Sequence, residues 1–238
     1  MHLIFLPHLK NKIEDREIYH HVIDVLRKKE GEEILFTDGK GKKFKAQIEK
    51  IDKKKKIFEI KNIEVIGEKL PTYPFINLFC AIPKKNKFEL LVEKATELGA
   101  DIIFPLKCKN QQKLDLNFNR IMKIAQQATA QSGRLILPKI SKPIDFRKAL
   151  DFVGNLNSSI NILFSLNEES KDFNSVISGL NKYKNINLFI GPEGDFSESE
   201  IELAKQKGFL LCKLSMNILR TETAGIFLTG LLSFLFKR

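Results

Sequence analysis

From Phe75 to Phe236 short apolar runs alternate with amphipathic segments, and this alternation restricts the fold more than any other feature of the chain. The apolar runs near residues 75–82, 102–106, 135–140, 160–166, 186–190 and 209–214 predict strands. The segments near 87–98, 117–130, 144–152, 173–182, 198–207 and 222–236 predict helices. Strands that read as continuous apolar runs, each followed by a helix, belong to a mainly parallel sheet covered on both faces. Such sheets bind ligands beyond the carboxyl ends of their strands. Within helix 87–98, Phe88, Leu91, Val92 and Ala95 share one face and predict its buried side; Lys94 and Glu97 fall on others.

The first 70 residues follow a different pattern. Ile18, Val22, Val25 and Leu26 form a helical stripe over Glu17–Lys29, closed by Gly31. Glu33–Thr37 and Phe44–Ile48 flank Asp38-Gly39-Lys40-Gly41, a hairpin signal, and Ile57–Ile66 reads as a further strand. These elements predict a small barrel-like module. Gly67-Glu68-Lys69-Leu70-Pro71-Thr72-Tyr73-Pro74 has the glycine and prolines of a linker, so the expected domains are residues 1–70 and 71–238.

The sharpest local signal is Asn187-Leu188-Phe189-Ile190-Gly191-Pro192-Glu193-Gly194-Asp195-Phe196-Ser197. An apolar strand stops at Gly-Pro-Glu-Gly, where glycines permit close backbone approach to a ligand. Ser197 with Glu200 forms a capping-box pattern, so a helix starts near Glu198, and Gly208 is its stop. The turn therefore sits at a strand's carboxyl end. No Gly-x-Gly-x-x-Gly follows an early strand and no Walker loop is present, which leaves this turn and Leu214–Ala224 as the candidate cofactor cradle.

Charge points to a polyanionic partner. The net charge of +11 is uneven: Lys and Arg outnumber Asp and Glu 17 to 13 over residues 1–70 and 14 to 6 over 71–148, but are outnumbered 10 to 9 over 149–238. A basic surface raises the local concentration of nucleic acid. Lys84-Lys85-Asn86-Lys87 and Lys107-Cys108-Lys109-Asn110-Gln111-Gln112-Lys113 each follow a predicted strand, and both are expected as loops on the edge that carries the Gly-Pro-Glu-Gly turn. Gln131-Ser132-Gly133-Arg134 adds a cation, and reads equally well as a helix end with Gly133 as its stop. Lys53–Lys56 reads as a solvated run.

Cys80, Cys108 and Cys212 are odd in number and far apart, which argues against a disulfide framework. The adjacent His20 and His21 diverge on a helix, so no metal site is expected. Met1–Pro7 lacks a basic n-region and predicts no export, placing the protein in the cytoplasm. The longest apolar segment, Ala224–Phe236, is shorter than the ~20 residues of a membrane span, and reads as a buried or subunit-interface helix. No membrane association is expected.

Gly191-Pro192-Glu193-Gly194 and Ile218-Leu219-Arg220-Thr221-Glu222-Thr223-Ala224 resemble the two signature segments of the RsmE-type 16S rRNA uracil-N3 methyltransferases of the SPOUT superfamily. Val25-Leu26-Arg27, Lys94-Ala95-Thr96-Glu97-Leu98-Gly99 and Gln131-Ser132-Gly133-Arg134 extend the resemblance over most of the chain. Two places depart from the family pattern: Asp195 stands where it has a second glycine, and Ser215-Met216-Asn217 where it has Gly-x-Arg. The resemblance implies an α/β SPOUT domain with a carboxyl-terminal trefoil knot, preceded by a PUA-like RNA-binding β-barrel.

It further implies an S-adenosylmethionine site formed by Leu166, Ile190, Gly191, Glu193, Gly194, Leu214, Ser215, Ile218, Leu219, Thr223 and Ala224. Methylating uracil at N3 removes a weakly acidic proton, so Arg220 is the candidate for stabilising charge on the uracil carbonyls. Glu222 and Glu193 remain alternative proton acceptors or orienting groups, with helix capping or loop bracing as the plain structural reading of each. Arg27, Lys84, Lys85, Lys109 and Arg134 are the candidate contacts to 16S rRNA or the small ribosomal subunit, and a homodimer through the carboxyl-terminal helix is expected. A SPOUT methyltransferase for another RNA, and a non-catalytic RNA-binding or ribosome-assembly protein of the same fold, are the alternatives.

Overall fold

The computed structural model describes residues 3–111, 116–214 and 217–237, with Lys85 described by its backbone. It divides into two compact units, Met1–Pro71 with Gln126–Leu137, and Thr72–Ala125 with Pro138–Arg238.

The first unit is built on a curled five-stranded sheet in the order β1-β3-β4-β5-β2, where β1 is Leu3–Phe5, β2 Lys12–Ile13, β3 Glu33–Thr37, β4 Lys42–Asp52 and β5 Ile57–Glu68. β1 pairs parallel with β3; the other pairs are antiparallel. Register shifts at three places along β4 and β5 bend the long hairpin, as bulges do. Alternate residues Phe44, Ala46 and Ile48 of β4 turn inward onto Ile34, Phe36, Phe58 and Ile60.

The helix of this unit is shorter than the stripe predicts. It runs as α1, Arg16–Tyr19, capped by the Asp15 carboxylate, and continues as a π-helical turn over His20–Val25. Arg27 then adopts φ 54°, and the Lys28 N–H reaches back to the Val22 carbonyl at 3.1 Å. This closure ends the helix with arginine in the left-handed position that glycine usually holds. Gly31, the predicted stop, lies four residues beyond.

Residues 135–137 also differ from expectation. Only Lys139–Ile140 (β8) is strand, whereas Leu135 and Leu137 satisfy the backbone of the Asp38–Gly41 turn. The Thr37 hydroxyl and Gly41 N–H donate to the Leu135 carbonyl at 3.2 and 2.8 Å, and the Leu137 N–H donates to the Gly39 carbonyl at 2.9 Å. A glycine turn with unpaired backbone groups recruits a partner strand, and here that pull outweighs the apolar pattern.

The second unit holds an eight-stranded sheet whose recorded pairings are all parallel. Its strands are β6 (Phe75–Ala81), β7 (Ile102–Lys107), β8, β9 (Ile144–Asp145), β10 (Ser159–Phe164), β11 (Lys171–Asp172), β12 (Asn185–Ile190) and β13 (Leu210–Lys213). The order is β11-β13-β10-β12-β6-β7-β8, with β9 also on β7. Helices α2 (Lys85–Leu98), α3 (Phe118–Gln131, whose residues from Gln126 on belong to the first unit), α4 (Phe146–Gly154), α5 (Asn174–Ile177), α6 (Glu198–Gln206) and α7 (Thr221–Leu235) intervene. The predicted helix 173–182 is broken: α5 is one turn, and Leu180–Lys182 forms a separate 3-10 turn after Gly179.

Both faces of the sheet are covered, as its apolar strands require. On one side Phe79 stacks between Phe104 and Phe189 at 4.2 and 4.3 Å, against α4 and α6. Each buried phenylalanine contributes about 1.5–3 kcal/mol of apolar transfer. On the other, α2 buries Phe88, Leu91, Val92 and Ala95 and packs on α7. The approach is close: a Cβ on Gly225 would stand 3.0 Å from Leu91, and one on Gly230 3.3 Å from Leu98. Near the amino ends of the three central strands, Asn77 donates to Asn187 at 2.8 Å and Asn187 donates to Asn161 at 2.7 Å.

Candidate functional site

The carboxyl ends of β10 and β12, the segment after β13 and the first turn of α7 line an open cleft, the place where sheets of this kind bind ligands. Eight of the eleven predicted cofactor residues line it: Leu166, Ile190, Gly191, Glu193, Leu214, Ile218, Leu219 and Ala224. Ser215 lies outside the described residues; Gly194 and Thr223 are not on the wall. Leu166 and Ile218 are 59% and 79% exposed, a cost for apolar side chains that a bound apolar surface would remove.

The turn after β12 is held from several sides. Ser197 and Glu200 form the full capping box at the start of α6, and Glu200 also accepts from the Lys109 N–H at 2.9 Å. The Thr221 hydroxyl donates to the Gly191 carbonyl at 2.8 Å, fixing α7 to the turn. Gly191 is needed for space: a Cβ there would meet the Phe196 ring at 3.1 Å and the Phe196 nitrogen at 3.3 Å. Gly194 is different, since its Cβ would find only the Asn110 Cβ, at 3.9 Å.

Asp195 is a site residue the motif pattern does not assign, and its backbone explains the substitution. It adopts φ 57°, the left-handed region where glycine is at ease and aspartate is tolerated. Its carboxylate accepts from the Ser165 hydroxyl at 2.8 Å, the Leu166 N–H at 2.9 Å and the Phe196 N–H at 2.7 Å. One side chain thus ties the end of β10 to the turn after β12, on the wall of the cleft. Asp195→Gly should relieve the backbone but loosen this tie, weakening S-adenosylmethionine about tenfold in calorimetry, with Asp195→Asn intermediate.

Arg220 is the exposed N-cap residue of α7, between Leu219 and Thr221, which both line the cleft. Glu222, in the first turn of α7, is buried; its Oε1 lies 3.3 Å from the Lys87 ammonium, and its Oε2 has no hydrogen-bond partner among the described residues. Lys87 also reaches Glu193 Oε1 at 3.5 Å. The run Lys84–Lys87 is therefore not wholly loop: Lys84 is the N-cap of α2 and Lys85–Lys87 lie in its first turn. Cations there oppose the helix dipole, which favours anions at that end. The run itself is the sequence signal for Lys87.

The predicted RNA contacts are spread over both units. In the first unit Arg27 is exposed and Arg134 half-buried, just after Gly133, whose φ of 75° closes α3. In the second unit the Lys84 and Lys109 side chains are exposed; the side chain of Lys85, and Gln112 and Lys113 of the second basic loop, lie outside the described set. Lys94 belongs to a surface ion cluster: hydrogen bonds to Glu93 and then Glu97 push its pKa up to about 12.

The cleft's chemistry fits S-adenosylmethionine. Leu166, Ile190, Leu214, Ile218 and Leu219 offer apolar surface for a nucleobase, while Asp195 and Glu193 suit hydroxyls and positive charge.

A family model described as an RNA methyltransferase domain matches residues 70–233, and one described as an RNA methyltransferase PUA domain matches residues 13–61. The chain is 35% identical over 210 residues to the ribosomal RNA small subunit methyltransferase E of Rickettsia conorii, covering 87% of this chain and 82% of that protein. It is 26% identical over 252 residues to the protein of the same name from Bacillus subtilis, covering 98% and 96%. Among solved structures, a ribosomal RNA small subunit methyltransferase E from Neisseria gonorrhoeae bound to S-adenosyl methionine superposes with a TM-score of 0.81, at 27% identity over 99% of this chain and 98% of that one.

Proposed function

Since the chain belongs to the RNA methyltransferase family, we propose that it transfers a methyl group from S-adenosylmethionine to N3 of a uridine in the 16S rRNA of the small ribosomal subunit. The observation that carries this reading is the meeting, at one sheet edge, of an apolar cleft with Arg220, Glu193 and Glu222, in a chain related over nearly its whole length to small subunit methyltransferases. S-adenosylmethionine supplies the electrophilic methyl group. Gly191, Asp195 and the apolar wall hold its nucleoside, Arg220 stabilises negative charge on the uracil carbonyls, and a carboxylate takes the N3 proton. N3 lies on the pairing edge, so the target base enters unpaired or flipped. A trefoil knot in this unit is supported by β13 filling the place between β10 and β11, two strands that precede it in the chain. An rRNA substrate places the enzyme in the cytoplasm.

The test is product analysis. Small subunits incubated with the protein and methyl-labelled S-adenosylmethionine, then digested to nucleosides, should yield 3-methyluridine. Label in ribose, in another base, or only in transfer RNA would overturn the reading.

RNA binding is assigned to Arg27, Lys84, Lys85, Lys109 and Arg134. A helix N-terminus favours phosphate, and Lys84 and Lys85 stand at one. Reversing the charge of Lys84, Lys85 and Lys109 together should weaken RNA binding and flatten its log-affinity against log-salt slope by about two to three units. A filter-binding titration with an unaltered slope would move the interface elsewhere.

The protein is further assigned as a homodimer through α7. Leu228 and Leu232 are buried within their own chain, so Leu232→Glu would damage the fold rather than test assembly. Phe234 (82% exposed) and Leu235 (46%) are the exposed large apolar side chains of α7 that a partner would cover. Light scattering should give about twice the 27.3 kDa chain mass, falling to the single mass in Phe234→Glu.

A further inference from the structure

We propose that Lys87 is a positioning residue for the reaction: it holds Glu222 with one carboxylate oxygen occupied and the other free to receive the N3 proton of the substrate uracil. This rests on the uracil-N3 reading above.

The geometry is specific. Lys87 projects from the first turn of α2 and its ammonium lies 3.3 Å from Glu222 Oε1 in α7 and 3.5 Å from Glu193 Oε1 in the turn that lines the cleft. One cation thus joins the two candidate carboxylates, and it treats them unequally. Glu193 is largely solvated, whereas the Glu222 side chain is only 7% exposed. The Glu222 Oε2 atom is buried with no donor among the described residues. Buried carboxylate oxygens without donors are costly, and a catalytic role is one of the explanations such an atom calls for. An uncharged N–H donor is the partner the Oε2 atom lacks, and uracil N3–H is one.

The groups around Glu222 agree with this division of labour. Lys87 supplies the positive charge from α2, Glu193 shares that charge from the turn, and on β6 stands Cys80, whose thiol is held protonated first by burial and then by the Glu222 charge. Of the two carboxylates on Lys87, Glu222 is the one with a buried oxygen that lacks a donor among the described residues. In the step, the N3–H proton passes to Glu222 Oε2 and its bonding pair stays on nitrogen. The N3–methyl bond forms as the methyl–sulfur bond breaks, and that pair remains on sulfur, discharging the sulfonium. Lys87 touches neither reacting atom; it sets the orientation of the carboxylate that does.

The experiment compares wild type, Lys87→Met and Lys87→Arg with small subunits as substrate. Lys87→Met should lower kcat about ten- to a hundredfold, because the carboxylate is no longer held in place. Its calorimetric affinity for S-adenosylmethionine should stay within about threefold of wild type, and Lys87→Arg should recover most of kcat. If wild type forms 3-methyluridine and Lys87→Met keeps its kcat, or Lys87→Arg fails to recover the loss, the role of Lys87 is overturned. If wild type forms no 3-methyluridine, the uracil-N3 reading falls and this role falls with it.

Discussion

Arg220→Ala should lose about two to three orders of magnitude in kcat while binding S-adenosylmethionine nearly as well as wild type. Arg220 is exposed at the N-cap of α7 and its side chain makes no capping bond, so its removal costs the fold little. A preorganised cation facing charge that develops only in the transition state acts on kcat, and losing one such group typically costs about 10²–10³. Single-turnover methylation with saturating cofactor is the measurement. Equal falls in Arg220→Ala and Arg220→Lys would point to a forked contact with two uracil oxygens, since a lysine cannot reproduce that geometry. A wild-type rate in Arg220→Ala would remove the residue from the reaction.

Gly191→Val is expected to weaken S-adenosylmethionine binding about ten- to a hundredfold. The Cβ would sit 3.1 Å from the Phe196 ring, which is itself buried against Phe146 at 5.1 Å and has little room to retreat. Overpacking of this kind costs about 1–3 kcal/mol, and the movement that relieves it displaces the cleft wall. The control is Gly194→Ala, where the nearest atom is 3.9 Å away and affinity should stay within about threefold. Calorimetry on both proteins separates a turn that needs space at Gly191 from one that needs glycine throughout.

Much of the second unit was legible because its signals are local and redundant. α6 begins at Glu198 and ends before Gly208 as its capping box and glycine require, and strands β6, β7, β10, β12 and β13 fall within about two residues of their apolar runs. The failures have physical causes. Leu135–Leu137 has a strand's composition, but its hydrogen bonds go to the Gly39–Gly41 turn, a long-range choice no local pattern encodes. Arg27 ends the first helix in a conformation that propensity assigns to glycine. The cleft was largely legible from the two motif segments, yet Asp195 enters as a departure from the motif and Lys87 as one lysine in a run. Their partners, Ser165 and Leu166 for the one, Glu193 and Glu222 for the other, are distant in sequence.

The asparagine ladder across β6, β12 and β10 bears on how freely this enzyme's ligand loops can vary. Asn77, Asn187 and Asn161 are paired in register near the strands' amino ends, and the cleft opens at the carboxyl ends. A one-residue slip of β12 would strand two buried amides and turn Phe189 out of its stack. The alignment of the three strands is thus enforced from the end that touches no ligand. Insertions or exchanges in the loops after β10, β12 and β13 can then alter which RNA is presented without changing where Gly191 stands, so the catalytic frame and the substrate-selecting loops can evolve separately.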